Sequence, residues 1–105
     1  MKIIELKTVA EFAAANPLIK QQNPKITRKA YVALLAAMRP KGFRCVAAMD
    51  GEKMVGICGF WLGVRFWCGE YIDLDNLIVD KDCRSQGVGR KLVQWIEKEG
   101  KKHGC

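Results

Sequence analysis

Leu77-Ile78-Val79-Asp80-Lys81-Asp82-Cys83-Arg84-Ser85-Gln86-Gly87-Val88-Gly89-Arg90-Lys91 is the stretch that decides how this chain folds. An apolar strand runs out at Val79, a polar loop follows, and two glycines one residue apart open a helix. Such a junction aims several backbone N–H groups at one place, with the positive end of the helix dipole behind them. Glycine there removes the Cβ atoms that would hold a phosphate away. Arg90 and Lys91 fall in the first helical turn, where a cation opposes the dipole by roughly 0.3–1 kcal/mol. An anion in front of them reverses that sign. The segment lacks the G-K-[ST] ending of a Walker loop and the G-x-G-x-x-G of a dinucleotide fold. It reads as a phosphate cradle of another kind or, more plainly, as tight strand–helix packing.

Downstream, Val88, Leu92, Trp95 and Ile96 recur on one face of a helix expected over residues 87–99, with Gly100 as its C-cap. Upstream, residues 70–79 form the most β-like run of the chain. Within it Tyr71, Asp73 and Asp75 alternate onto one face, and Ile72, Leu74 and Ile78 onto the other. The alternation slips at Asp75-Asn76-Leu77, which predicts a bulge. Residues 43–49 and 54–66 read as strands joined at Asp50-Gly51, a strong hairpin signal. Gly56, Gly59 and Gly63 on the second of these mark a bulge or a close backbone approach.

At the front of the chain, residues 1–7 read as a first strand. Thr8 and Glu11 form a capping box for a short helix that stops at Asn16-Pro17. Residues 18–25 are expected as a loop. Thr27 caps a second helix carrying Tyr31, Leu34, Leu35 and Met38, ended by Pro40 and Gly42. The order β-α-α-β-β-β-α describes a single α+β domain over residues 1–105, with a mostly antiparallel sheet flanked by helices.

Composition narrows the function. At 105 residues, 50% apolar and 28% charged, the chain can bury a true core and is not disordered. Its apolar runs break well before the roughly 18 residues that a membrane helix needs. The N-terminus has no signal-peptide h-region. Cysteines at 45, 58, 68, 83 and 105 are odd in number, with no C-x-x-C pair, and His103 is the only histidine. No metal site follows from that spacing, and reduced thiols fit a cytoplasmic location. The net charge of +7 favours anionic partners or is a solvated basic surface. Nucleic-acid binding ranks last, because no aromatic–basic interleaving accompanies the charge.

Arg84-Ser85-Gln86-Gly87-Val88-Gly89 matches the Q/R-x-x-G-x-G/A signature, and the chain thereby resembles the GNAT superfamily of acyl-CoA-dependent N-acetyltransferases. Asn76 to Val79 before it, and Leu92, Ile96 and Gly104 after it, fall where that family has strand, helix and turn positions. The resemblance extends through the element order to the whole chain. It implies that backbone groups of Gln86, Gly87, Val88, Gly89 and Arg90 hold the acetyl-CoA pyrophosphate. It also implies that Leu77, Ile78 and Val79 pair with the pantetheine arm. Arg84 takes the first signature position and would add charge near the phosphates; the same role for Arg90 and Lys91 is our inference from their place in the first turn.

Direct transfer to a primary amine needs a general base. In this family an acidic residue of the same strand often serves, which makes Asp73 and Asp75 the candidates, with Glu70 behind them. The same carboxylates would equally suit an exposed edge that keeps the sheet soluble. Relative to the family, the chain ends at Lys102-His103-Gly104-Cys105, where a fifth strand would begin. That strand, a helix, the last hairpin and the tyrosine that commonly protonates the thiolate are therefore expected to be missing. The expected consequence is an open edge along residues 70–79, uncovered apolar surface over Trp95 and Ile96, and a homo-oligomer formed through that edge. Residues 16–27, with Lys20 and Lys25, would line the acceptor side and point to an anionic acceptor, or form a plain exposed loop. A non-catalytic acetyl-CoA-binding or regulatory module, completed by a partner or by self-association, is the alternative to an enzyme.

Overall fold

Local signals at the turns set the order of elements, and the computed structural model, which describes residues 1–102, realises them. β1 spans Lys2–Glu5, β2 Phe43–Asp50, β3 Lys53–Arg65 and β4 Gly69–Val79. α1 covers Val9–Ala14, α2 Asn16–Gln22, α3 Arg28–Met38 and α4 Val88–Lys102. The strands form one antiparallel sheet in the order β1-β2-β3-β4. Thr8 and Glu11 make the expected capping box, and the Thr27 hydroxyl accepts from the Ala30 N–H. Gly51, at φ 63°, turns the chain between Asp50 and Lys53. The α+β architecture is as expected, with one helix more. No helix among the described residues is long and apolar enough to cross a membrane.

The extra helix is α2, where a loop was expected. Pro17 was read as a stop, but it sits in the first turn of α2, where its missing N–H has no intrahelical acceptor to lose. The chain breaks between α1 and α2 at Ala15 and then winds again. At the other end, α4 continues through Gly100, which is buried within the helix and does not cap it. The readings placed on His103, Gly104 and Cys105 lie outside the described residues.

Two apolar layers flank the sheet. Leu6, Phe12, Leu18, Tyr31, Leu35 and Ile57 fill the layer under α1 to α3. Val46, Val55, Phe60, Val88, Leu92 and Ile96 fill the layer under α4. Ile96 is only 1% exposed, and the half-buried Trp95 packs against the Phe60 ring at 6.3 Å, so the surface expected to be open there is closed. Apolar groups are left in solvent elsewhere, among them Val64, Phe66 and Trp67 at the β3–β4 turn, Leu74 and Leu77 along β4, and Leu34 on α3.

Arg44 ties three elements together. Its guanidinium donates to both Glu5 carboxylate oxygens at 2.8 and 2.7 Å, reaches Glu99 of α4 at 3.1 Å, and lies over the Phe60 ring. The bond from Arg44 holds the Glu5 carboxyl below its usual range, against an opposing push from burial. A carboxylate lowered in this way stabilises the fold fully above its unfolded pKa, and that contribution disappears as pH falls through the folded value. Glu5→Gln is therefore expected to lose about 1–3 kcal/mol at pH 7. In denaturant titrations the gap between wild type and variant should narrow between pH 7 and a pH below the ordinary glutamate range. An equal gap at both pH values would show that the charge is not responsible.

Candidate functional site

The bulge foreseen in β4 organises everything around it. Ile57 pairs with Ile78 and Gly59 with Asp75, so two residues of β4, Asn76 and Leu77, stand opposite the single Cys58 of β3. Asn76 takes φ 58°, a left-handed conformation that asparagine tolerates better than most residues. The extra residue reverses the alternation. Ile72, before the bulge, packs on the α4 layer, whereas Ile78, after it, joins the α1–α3 layer. Placing Ile72, Leu74 and Ile78 on one face therefore fails at Ile78, because each residue past the bulge changes sides.

Beyond β4, the Asp80 carboxylate accepts from the Asp82 N–H at 2.9 Å and starts a 3-10 turn over Lys81–Cys83. Ser85 and Gly87 then take φ 70° and 78°, and the chain enters α4. The Lys91 N–H donates to the Gly87 carbonyl at 3.2 Å. The N–H groups of Val88, Gly89 and Arg90 thus have no helical acceptor. Among the described residues, chain neighbours aside, no atom lies within 4 Å of a Cβ built on Gly87, and at Gly89 the nearest outside its own helix backbone is a Leu77 methyl at 3.7 Å. The space before the helix is open, as a cradle for a bulky anion requires.

Leu77, Ile78, Val79 and Arg84 line a cleft of about 380 Å³ together with Gln21 and Gln22 of α2. Gln21 is a feature that the sequence reading missed, since it fell in a presumed loop. Its side chain accepts from the Lys81 N–H at 3.2 Å and donates to Asp80 at 3.4 Å, tying α2 to the turn after β4.

A second cavity of about 460 Å³ lies between α2, α3 and the sheet. Gln22 lines both spaces, and the bulge places Asn76 in the cavity and Leu77 in the cleft. Neither Lys20 nor Lys25 lines the cavity, so the basic lining expected from residues 16–27 is not found there. Tyr31 and Cys45 do line it. The Tyr31 hydroxyl donates to the Phe12 carbonyl at 2.9 Å, and burial pushes its pKa well up. Burial also raises the Cys45 thiol to about 12, so it stays protonated at neutral pH.

The two candidate carboxylates share a face but not a setting. Asp73 lies opposite Trp61, exposed, with Arg65 at 3.5 Å. The guanidinium of Arg65 is also stacked on the Tyr71 ring at 3.9 Å. Asp75 is half-buried and accepts from the Trp61 indole N–H at 3.3 Å. It pairs with Gly59 and precedes Asn76, both of which line the cavity. A Cβ on Gly59 would come within 2.8 Å of the Asp75 carbonyl oxygen, so that closeness depends on glycine. Glu70 pairs with Val64 near the exposed turn, five residues before Asp75.

A sequence model of the acetyltransferase (GNAT) family matches residues 7–105. The chain is 22% identical over 101 residues to the uncharacterized N-acetyltransferase YhdJ of Bacillus subtilis, covering 95% of this chain and 71% of that protein. Among solved structures, glucosamine-6-phosphate N-acetyltransferase from Arabidopsis thaliana superposes with a TM-score of 0.81 at 18% identity, over 99% of this chain and 76% of that one. An aminoglycoside 6'-N-acetyltransferase complexed with coenzyme A gives a TM-score of 0.77 at 23% identity, over 99% of this chain and 57% of that one.

Proposed function

The chain belongs to the acetyltransferase (GNAT) family, and on that premise we propose that it moves an acetyl group from acetyl-CoA to a primary amine. The observation that carries the proposal is the junction at the bulge, where a cleft lined by Leu77, Ile78, Val79 and Arg84 shares Gln22 with a cavity whose lining residues Gly59 and Asn76 adjoin Asp75. The N–H groups of Val88, Gly89 and Arg90 receive the pyrophosphate, with Gln86 and Gly87 shaping the turn and Arg84, Arg90 and Lys91 supplying charge. The cleft along Leu77, Ile78 and Val79 takes the pantetheine arm. The acceptor amine enters from the cavity side.

Asp75 is our choice of general base over Asp73, because it borders the cavity while Asp73 is engaged by Arg65 at the hairpin. The Asp75 carboxylate takes a proton from the ammonium, the freed amine attacks the thioester carbonyl, the C–N bond forms, the C–S bond breaks, and the second proton shed by the nitrogen passes through water to the departing thiolate. Cys45, held as a thiol, is no nucleophile for an acyl-enzyme route, which favours direct transfer. The Tyr31 hydroxyl is bonded to Phe12, so the departing thiolate takes its proton from water. We place the reaction in the cytoplasm. The outer edge of β4 offers backbone groups to a further strand, which a second copy of the chain supplies in a homo-oligomer.

The test is release of CoA, read by chromatography because the exposed Cys68 would react with thiol reagents. Release that depends on both acetyl-CoA and an added amine is the expected result. Acetyl-CoA binding without any amine-dependent release would favour the non-catalytic module, a reading supported by the engagement of Tyr31.

A further inference from the structure

The lining of the cavity between α2, α3 and the sheet says what kind of amine fits. Its walls are carbon: Ile19, Ile26, Leu34, Met38, Phe43 and Ile57. The polar groups among them are the amides of Gln22, Asn23 and Asn76, besides the hydroxyl already bonded to Phe12 and the neutral Cys45 thiol. No lining side chain among the described residues is a carboxylate or a cation. Asp75, beside Gly59 and Asn76, is the one acidic group that adjoins the lining through the β3–β4 pairing.

One carboxylate at the rim balances one ammonium. A polyamine or aminosugar carrying further ammonium groups would have to bring them against carbon with nothing to pair them, and a desolvated, unpaired charge is strongly disfavoured. The net charge of +7 adds a repulsion that grows with each positive charge on the acceptor. An apolar group on the amine meets the opposite situation, since it leaves water for a lining of its own character. A cavity of about 460 Å³ has the size of a small-molecule site.

We infer that the acceptor is a singly charged primary amine bearing an aromatic or branched aliphatic group, seated between α2, α3 and the sheet with its amine toward Asp75. The inference rests on the acyl-transfer reading for its chemistry, while the fit of the cavity is independent of it.

Two measurements separate these. In the first, phenethylamine and isoamylamine are compared with spermidine and kanamycin as acceptors. The expected kcat/KM favours the apolar amines by at least about tenfold, the scale on which pocket contacts discriminate substrates. In the second, the same four amines are titrated without acetyl-CoA into methyl-labelled protein. Phenethylamine is expected to shift the methyl signals of Ile19, Ile26 and Met38, and spermidine is not. Leu34, about half exposed on α3, supplies a variant that leaves the core intact. Leu34→Glu should lower the preference for phenethylamine over spermidine by about tenfold or more. Turnover that prefers spermidine or kanamycin overturns the inference and leaves acetyl transfer standing. Absence of turnover with every amine defeats the transfer reading, and the methyl titration then decides the cavity's ligand alone. No methyl shift with phenethylamine overturns the inference in either case.

Discussion

Gly89→Glu is expected to raise the dissociation constant for acetyl-CoA at least about a hundredfold while leaving the chain folded, a loss of nearly 3 kcal/mol. Gly89 stands in the first turn of α4, with open space before it and a Leu77 methyl at 3.7 Å from its would-be Cβ. A side chain therefore fits, and glutamate places a negative charge where the pyrophosphate is to sit. The same charge suits the helix itself, since an acidic group in the first turn gains roughly 0.3–1 kcal/mol from the dipole. Replacing a helical glycine adds a further stabilisation of up to about 1 kcal/mol. Thermal melting should consequently hold or rise as calorimetric binding disappears, which no general unfolding would produce. Gly89→Ala, with no charge, should keep both fold and binding. Gly87 differs because its φ of 78° strains any L side chain, so even Gly87→Ala should weaken the junction by about 1–2 kcal/mol. Unchanged affinity in Gly89→Glu would remove the cradle from the account.

The second large effect belongs to Asp75→Asn. The amide oxygen can still accept from the Trp61 indole, so the strand keeps its local bond. What disappears is the ability to take a proton, and turnover should fall about 10²–10⁴-fold with acetyl-CoA affinity unchanged. Asp73→Asn should cost far less, because its carboxylate faces Arg65 at the exposed hairpin. The two variants are compared under saturating acetyl-CoA, with binding measured separately. If Asp73→Asn shows the larger loss, the roles are reversed. If neither variant changes turnover, both carboxylates are edge residues that keep the sheet soluble.

What could be read from the sequence was local. The Thr8–Glu11 box, the turn at Asp50-Gly51 and the strand–loop–helix at Val79 to Gly89 are each defined by neighbours within a few residues. All three are found. The bulge was legible too, as a slip in alternation, but its consequence for Ile78 was not followed past Asn76. Pro17 misled because proline stops a helix from within and is tolerated at its start, and only the winding of Asn16–Gln22 tells which applies. Gly100 misled similarly, since burial of α4 keeps the helix going through it.

The site divides along the same line. Leu77, Ile78, Val79 and Arg84 come together in one cleft. The cavity was invisible, because it arises where α2 and α3 meet the sheet from three separate parts of the chain. Gln21 went unnoticed for the same reason: its partners Asp80 and Lys81 are about sixty residues away. Asp73 and Asp75 looked equivalent by alternation, and the pairing of Gly59 with Asp75 and the ion pair of Arg65 with Asp73 set them apart.

The central claim is that acetyl-CoA binds at the junction of β4 and α4. Its most direct test is titration of the isotope-labelled chain with CoA, following backbone amides by NMR. The account predicts saturable shifts at Gly87, Val88, Gly89 and Arg90, with smaller ones along Leu77 to Val79 and little change around Gly69, at the opposite end of β4. Shifts scattered over the basic surface and erased by moderate salt, or none at all from the folded chain, would contradict it.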